Sequence, residues 1–213
     1  MSTTNTIITV GREYGSGGRE IGKKVAEYFG IKYYDKELLE HAANDSGICK
    51  ELFEHHDEKP TNSFLYSLVM DTYSFGYSSA GFSDMPMNHK LFLAQFDAIK
   101  KMAQEGPCVM VGRCADYALA DLDNCYSIFV HADKDWRINR ISAKYDKSPK
   151  EAKDVINRTD KSRASYYNYY TNKKWGAAQS YNLCVDSSKL GIDNAVELII
   201  ESIKIFDKSK NTK

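Results

Sequence analysis

The chain has 213 residues, of which 42% are hydrophobic, so it can bury one sizeable core; its 29 basic and 29 acidic side chains leave a net charge near zero. This balance argues against a non-specific nucleic-acid binder, which would carry a basic excess. No apolar run is long enough to span a bilayer, and five scattered cysteines without a C-x-x-C pair indicate neither a zinc knuckle nor a disulfide framework. We expect one α/β domain with an insertion, in a cytoplasmic protein with reduced thiols.

The first predicted strand leads into a glycine-dense loop and then into a helix. This stretch runs from Ile7 to Ile21 and contains Gly11, Gly15, Ser16, Gly17, Gly18, Arg19 and Glu20. Such an architecture binds phosphate, because glycines let backbone N–H groups converge on an anion at a helix N-terminus. The spacing fits the first half of the pattern G-x-x-x-x-G-K-[ST], but Gly18 stands where the lysine should be and Arg19 where Ser or Thr should be. A glycine-rich turn of some other α/β protein is the alternative.

The next segments predict alternating elements and one region of different character. The first helix ends at Gly30, a second strand closes on Asp35, and Lys36 begins a second helix. Residues 48–58 predict a short helix whose adjacent histidines, at 55 and 56, cannot share a face and so do not form a metal pair. Residues 61–87 mix aromatic and small side chains, as either a surface loop or a flap that covers a bound base.

A buried parallel strand is predicted in the middle of the chain. A helix over 88–104 is followed by the apolar run from Cys108 to Val111 and then by Gly112, Arg113, Cys114 and Asp116. A charged pair just past the carboxyl end of a buried strand lies where open α/β sheets bind ligands. The alternative for Arg113 is a surface ion pair.

Two later helices carry cations. Asp133 can cap a helix that runs to about residue 145 and places Arg137, Arg140 and Lys144 on one face, either solvated or turned toward an anion. Ser148 and the three residues after it form a capping box with proline at the first helical position. The helix that follows carries Arg158, Lys161 and Arg163, and then the tyrosine-rich stretch 166–170, which could read nucleic acid or dock onto the chain's own core.

The C-terminal part predicts a last strand over 181–186, a loop over 187–191 that contains Ser187 and Lys189, and a closing amphipathic helix over 192–206. Strands and helices then alternate around about five short apolar strands. This pattern predicts an α/β fold with a parallel sheet and helices on both faces.

Taken together, these motifs resemble the cytidylate kinase-like family within the P-loop nucleoside monophosphate kinases. The resemblance is carried, in order, by residues 12–20, 111–116, 158–167, 174–176 and 186–191. It implies a three-layer P-loop kinase fold with a five-stranded parallel sheet. Within one domain, the core would comprise 1–35, 106–141 and 179–207, with a helical monophosphate-binding insertion at 36–105 and a lid at 142–178.

The implied reaction is transfer of the γ-phosphoryl group of ATP, with Mg²⁺, to a nucleoside monophosphate such as CMP or dCMP. Nucleotides would be the partners, without nucleic acid or membrane, and the protein would be a monomer or a homodimer. A kinase of another small molecule, and a nucleotide-binding regulatory protein without turnover, are the alternatives. The chain departs from the family pattern at the missing loop lysine, at Cys114 where the family has an aspartate, and after the second strand, where only Asp35 and Lys36 stand for a longer motif.

The resemblance also assigns roles to individual residues. Donor phosphates would be bound by Gly11, Gly15, Ser16, Gly17, Gly18, Arg19, Glu20, Ser187 and Lys189. The catalytic cations would be Arg19, Arg113, Arg140, Arg158 and Arg163, with Arg19 replacing the missing lysine. The acceptor would contact Asp35, Lys36, Arg113 and Asp116, and Glu20 or Asp116 would hold Mg²⁺ through water.

Overall fold

The computed structural model describes residues 3–47 and 87–211. The predicted short helix with the adjacent histidines, and the aromatic-rich segment up to residue 86, lie outside the described residues. Element labels below number the described elements in chain order.

The predicted five-stranded parallel sheet is confirmed. Its strands are β1 (Ile7–Arg12), β2 (Lys32–Tyr34), β3 (Cys108–Val111), β4 (Cys125–His131) and β5 (Leu183–Asp186). They lie in the order β2-β3-β1-β4-β5, and each neighbouring pair is parallel. Val10 of the central strand pairs with Val111 on one side and Ile128 on the other. Because the central strands are covered on both faces, they read as continuous apolar runs.

Most helices follow the strands as the sequence predicts, but the short helix Ala115–Ala118 after β3 was not predicted. They are α1 (Gly18–Phe29), α2 (Glu37–Ser46), α3 (Met87–Gln104), α4 (Ala115–Ala118), α5 (Lys134–Tyr145), α6 (Pro149–Thr171) and α7 (Ser187–Asn211), with a 3₁₀ turn at Ala178–Ser180. Asp133 caps α5, and the capping box of Ser148 and Glu151 opens α6, both as predicted. The loop predicted over 187–191 is wrong: α7 begins at Ser187 and is interrupted at Gly191, which has φ 76°.

Helices cover both faces of the sheet. On one face, α1 and α7 pack on Ile8, Val10 and their neighbours in a single buried cluster. On the other face, α3 and the C-terminal half of α6 pack on residues such as Phe129. The tyrosines of α6 belong to this second layer, because Tyr166, Tyr167 and Tyr170 are buried and Phe92 stacks on Tyr170 with ring centroids 4.0 Å apart. The tyrosine-rich stretch therefore docks onto the chain's own core.

Among the described helices, none combines the length and the apolar character that crossing a bilayer requires.

Candidate functional site

The glycine-dense loop joins the carboxyl end of β1 to the N-terminus of α1. Gly15 and Gly17 adopt left-handed backbone conformations, with φ 86° and 82°, which glycine adopts without steric cost. Gly17 precedes α1, and no side chain caps the helix there. Within the described residues, nothing accepts a hydrogen bond from the backbone N–H groups of Gly17, Gly18 or Arg19. The helix N-terminus is therefore open to an anion, which the helix dipole also favours.

Other elements hold this loop from behind. The Asp160 carboxylate of α6 accepts a hydrogen bond from the backbone N–H of Tyr14 at 2.7 Å. The hydroxyl of Ser187, buried at the start of α7, donates to the backbone oxygen of Ser16 at 2.6 Å. The Glu13 carboxylate accepts from the N–H of Ala132, after β4, at 3.0 Å. These contacts fix the loop, while the N–H groups of Gly17, Gly18 and Arg19 have no acceptor among the described residues.

Arg137, the first cation of the predicted basic stripe, supports the loop from beneath. Arg137 is buried, and its guanidinium donates to the backbone oxygens of Ala132 and Tyr14 at 3.1 and 3.2 Å. It also pairs with Asp160 at 2.5 Å and with Glu13 at 3.4 Å. Arg137 therefore lies neither on a solvated face nor against a phosphate site, because its charge is paired with carboxylates beneath the loop.

A cleft with about 550 Å³ of empty space opens over the loop. Its basic lining residues come from four elements and are Arg12, Arg19, Arg140, Lys144 and Arg163. Its acidic lining residues are Glu13 and Glu20, and Glu20 pairs with Arg140. Since cations outnumber acids along its wall, the cleft carries a positive potential that attracts anions.

Arg19 is directed toward the end of β2. Its Nε lies 2.8 Å from Asp35 Oδ2, and its Nη2 donates to Oδ1 at 3.2 Å. Arg113 reaches the same carboxylate from β3: its Nη1 donates to Asp35 Oδ1 at 3.1 Å, to the Asp35 backbone oxygen at 2.7 Å and to the Val111 backbone oxygen at 3.1 Å. The structure thus joins a residue predicted for the donor site to a residue predicted for the acceptor site.

A second pocket, with about 350 Å³ of empty space, adjoins the cleft and shares Arg12 and Arg163 with it. Asp116 lines this pocket and accepts a hydrogen bond from the hydroxyl of Tyr167 at 2.7 Å. Burial raises the pKa of the Asp116 carboxyl, and burial together with this carboxylate raises the pKa of Tyr167. Both groups are therefore held toward their neutral forms.

The predicted site residues lie in several different environments. Gly15, Gly17, Gly18, Arg19, Glu20, Arg140 and Arg163 line the cleft, whereas Gly11, Arg113 and Asp116 line the second pocket. Ser16 and Ser187 are buried behind the loop, and Asp35 lies between its two arginines. Lys36, Arg158 and Lys189 are exposed and line neither space. The roles assigned to all these residues stay predictions.

The sequence reasoning missed two residues that shape the site. Arg12 is buried at the end of β1 and lines both spaces, and its position directly after Gly11 was the available signal. Asp160 holds the loop through Tyr14, which is 146 positions away in the sequence, and no local pattern predicts such a contact.

Protein carboxylates do not form a metal cage in the part of the chain that the structure describes, where no group of three or more His, Cys, Asp or Glu side chains could hold an ion. Glu20 lies in the cleft with its side chain 44% exposed. Mg²⁺ usually keeps several waters and is bound by one or two carboxylates together with substrate phosphates. The residues present fit that mode, with Glu20 as the half-exposed carboxylate of the cleft. Asp116 lies in the second pocket, hydrogen-bonded to Tyr167.

Comparisons with known proteins agree with this geometry. A sequence model of the cytidylate kinase-like family matches residues 7–189. An uncharacterized protein from Eubacterium ventriosum ATCC 27560 is 29% identical, with a TM-score of 0.68 over 93% of this chain and 98% of that chain. A comparison with curated proteins gave no match.

Two kinases of known structure have a similar fold. The gluconokinase from Sinorhizobium meliloti 1021 is 13% identical, with a TM-score of 0.55 over 99% of this chain and 98% of that one. The shikimate kinase from Bacteroides thetaiotaomicron is 14% identical, with a TM-score of 0.51 over 93% and 98%. At these identities the likeness is one of fold, and the fold is that of P-loop kinases.

Proposed function

The chain belongs to the cytidylate kinase-like family, and we propose that it transfers the γ-phosphoryl group of ATP to a nucleoside monophosphate, with CMP or dCMP as the acceptor. One observation carries this proposal: the open N-terminus of α1, with the N–H groups of Gly17, Gly18 and Arg19 unused by the described residues, faces a cleft rich in cations. Family membership supports phosphoryl transfer in general, whereas CMP or dCMP as the acceptor is our proposal.

The donor phosphates bind at the loop. The backbone N–H groups of Gly15 and of Gly17 to Arg19 surround the anion, and the dipole of α1 adds its partial positive charge. The loop needs no reorganisation for this, since Asp160 and Ser187 already hold it from behind.

The cations of the cleft stabilise the charge that spreads over the transferring phosphoryl group. Arg140 and Arg163 line the cleft from α5 and α6. Because phosphoryl transfer asks for positioning and electrostatic stabilisation rather than covalent chemistry, no protein nucleophile is required. A cleft that closes around the phosphates excludes water, which would otherwise compete as the acceptor.

Mg²⁺, when bound with the nucleotide, neutralises charge between the β- and γ-phosphates. Glu20 would hold one of the waters of the ion, since its carboxylate lies in the cleft beside the first turn of α1. This carboxylate pairs with Arg140 and lies 3.7 Å from the ammonium of Lys24.

Two alternatives rest on specific observations. Phosphorylation of another small molecule is favoured by the acceptor side, where Cys114 replaces an acid and the buried Arg113 is engaged by Asp35. Nucleotide binding without turnover is favoured by Gly18, which leaves the loop without its usual lysine.

An ATP-consumption assay separates the three. The purified chain is incubated with ATP, with and without Mg²⁺, against a panel of nucleoside monophosphates and small alcohols. Turnover that requires Mg²⁺ and CMP or dCMP supports the proposal, turnover with a different acceptor supports the second function, and nucleotide binding without turnover supports the third. Arg140→Met should abolish most of the turnover, whereas Lys153→Met, an exposed cation on α6 that lines neither space, should not.

A further inference from the structure

We propose that Asp35 is a positioning residue that couples the donor and acceptor sites through Arg19. Asp35 holds Arg19 while the donor site is empty, and donor phosphates draw Arg19 away. The freed side of the carboxylate then accepts a hydrogen bond from the acceptor. This inference rests on the proposed function.

The two arginines that contact Asp35 are not equivalent. The Arg113 side chain is fully buried, and its Nη1 also donates to the backbone oxygens of Asp35 and Val111. The Arg19 side chain is 49% exposed and projects from the first turn of α1. Arg113 is thus fixed by the sheet, whereas Arg19 can change rotamer while the buried carboxylate keeps Arg113 as its counter-charge.

The exchange leaves Asp35 with a partner. Oδ1 keeps its hydrogen bond from Arg113 Nη1 at 3.1 Å when Arg19 moves. Oδ2 is contacted by Arg19 Nε, and no other described residue reaches it. A buried carboxylate that lost every cation would be costly, but this one loses only the more exposed of two. Release of Arg19 is therefore inexpensive and opens one defined oxygen.

Donor phosphates are the stronger partner for Arg19. Arg19 follows Gly18 directly, so its side chain projects from the helix N-terminus whose open N–H groups would bind the anion. It also lines the same cleft. Water reaches the Arg19–Asp35 pair from its arginine side, whereas a bidentate arginine–phosphate pair in a cleft that excludes water is a stronger charge-assisted contact. Phosphate binding therefore shifts Arg19 from Asp35 to the donor.

This exchange has consequences for the acceptor. The donor should bind first, because the acceptor needs the oxygen that Arg19 covers. The acceptor group that meets Asp35 must be a hydrogen-bond donor, such as a hydroxyl or an amino group, since a carboxylate would repel an anion there. An acceptor with a free phosphate would have to direct it elsewhere, and its sugar or base would meet Asp35.

A double-mutant cycle tests the coupling through the donor alone. Binding of a non-hydrolysable ATP analogue with Mg²⁺ is measured by calorimetry for the parent, Asp35→Asn, Arg19→Met and the double variant. Asparagine keeps an oxygen for Arg113, and circular dichroism with thermal melting confirms folding. Asp35→Asn should bind the analogue about two- to fivefold more tightly, because Arg19 no longer has to leave a carboxylate. Arg19→Met should bind it more weakly.

The double variant is the matched control. Asp35→Asn should have no effect on affinity in the Arg19→Met background, because the effect acts through Arg19. An equal gain in affinity in both backgrounds would mean that Asp35 acts only as a distant negative charge, and it would overturn the inference. Unchanged or weaker binding of the analogue by Asp35→Asn would also overturn it. If Asp35→Asn does not fold, Arg19→Met still decides: it must remove the dependence of CMP binding on prior binding of the analogue. A parent that binds no ATP analogue overturns the proposed function itself.

Discussion

Asp160, in the middle of α6, accepts a hydrogen bond from the backbone N–H of Tyr14 at 2.7 Å, and so ties a long helix to the loop of the candidate phosphate site. Its other oxygen pairs with the buried Arg137 at 2.5 Å. The guanidinium of Arg137 in turn donates to the backbone oxygen of Tyr14. A single carboxylate therefore fixes both polar groups of one loop residue, one directly and one through an arginine.

Removal of this carboxylate should destabilise the fold. In Asp160→Ala, Arg137 keeps only the more distant Glu13 as a counter-charge, and the N–H of Tyr14 loses its acceptor. We expect the free energy of unfolding, measured by urea denaturation, to fall by about 3 kcal/mol. Asp154→Ala, at an exposed position of the same helix, should change it by less than about 0.5 kcal/mol. Similar losses in both variants would show that Asp160 is no anchor.

Gly17 should be required for backbone conformation as well as for phosphate binding. A Cβ at this residue would meet the Ile192 side chain, and φ is 82°. Gly17→Ala should lower the free energy of unfolding by at least about 1–2 kcal/mol and weaken nucleotide binding more than tenfold. Gly47→Ala is a matched control, because that residue has φ 69° and a Cβ there would meet none of the described residues. It should lose about 1–2 kcal/mol through backbone strain alone, without any loss of nucleotide affinity.

A second variant separates the clash from the phosphate contact. Ile192→Ala removes the atoms that a Cβ at residue 17 would meet. If the loop binds phosphate, Gly17→Ala should still weaken nucleotide binding in the Ile192→Ala background. Full recovery of binding there would mean that Gly17 serves only packing against α7.

Local patterns predicted the frame of this fold well. The run from Cys108 to Val111 and the capping box at Ser148 each depend on neighbouring residues alone, and the structure has both as predicted. The wrong loop prediction at Ser187 also came from neighbouring residues, because Gly191 and two serines suggest a loop. In the structure the Ser187 hydroxyl is buried against Ser16, and the helix starts there. Tertiary contact overrode the turn signal.

The site was less predictable because its charges are paired across the fold. The sequence could place Arg19 near donor phosphates and Asp35 after β2, but not reveal that the two side chains meet. The basic stripe of α5 divides in the same way. Arg137 turns under the loop to Asp160, Arg140 pairs with Glu20, and Lys144 is left exposed. Helical spacing fixes a face, whereas the partner of each charge depends on which elements pack against it.

The second pocket should make stability depend on pH through Asp116. Burial raises the pKa of this carboxyl in the folded state, so its protonated form is favoured there. The stability that this group contributes is complete below its unfolded pKa, near 4, and is lost as pH rises through the raised folded value. Asp116→Asn should therefore gain melting temperature relative to the parent as pH increases from 4 toward 7. A difference that stays constant with pH would contradict this.

The last prediction concerns the predicted lid, residues 142–178. The C-terminal half of α6 is packed into the fold: Arg163 donates to the backbone oxygen of Arg12, and Tyr166 donates to Gln95. The N-terminal half contacts mainly α5, through Ala152 and Ile156, and exposes Arg158. If the lid closes over phosphates, movement should therefore be confined to the part of α6 before Asp160 and to the turn that joins it to α5.

Hydrogen exchange and the turnover of an Arg158 variant test whether the lid closes. A non-hydrolysable ATP analogue with Mg²⁺ should slow exchange over 142–157 more than over 163–171, which already packs against the core. Arg158→Ala should lower turnover at least about tenfold, or about 1.4 kcal/mol in the barrier, because closure brings this cation to the phosphates. Lys161→Ala, another exposed cation of α6, should leave turnover within about twofold. If exchange over 142–157 ignores the analogue and Arg158→Ala turns over normally, Arg158 is only a surface charge, and catalysis depends on the cations that already line the cleft.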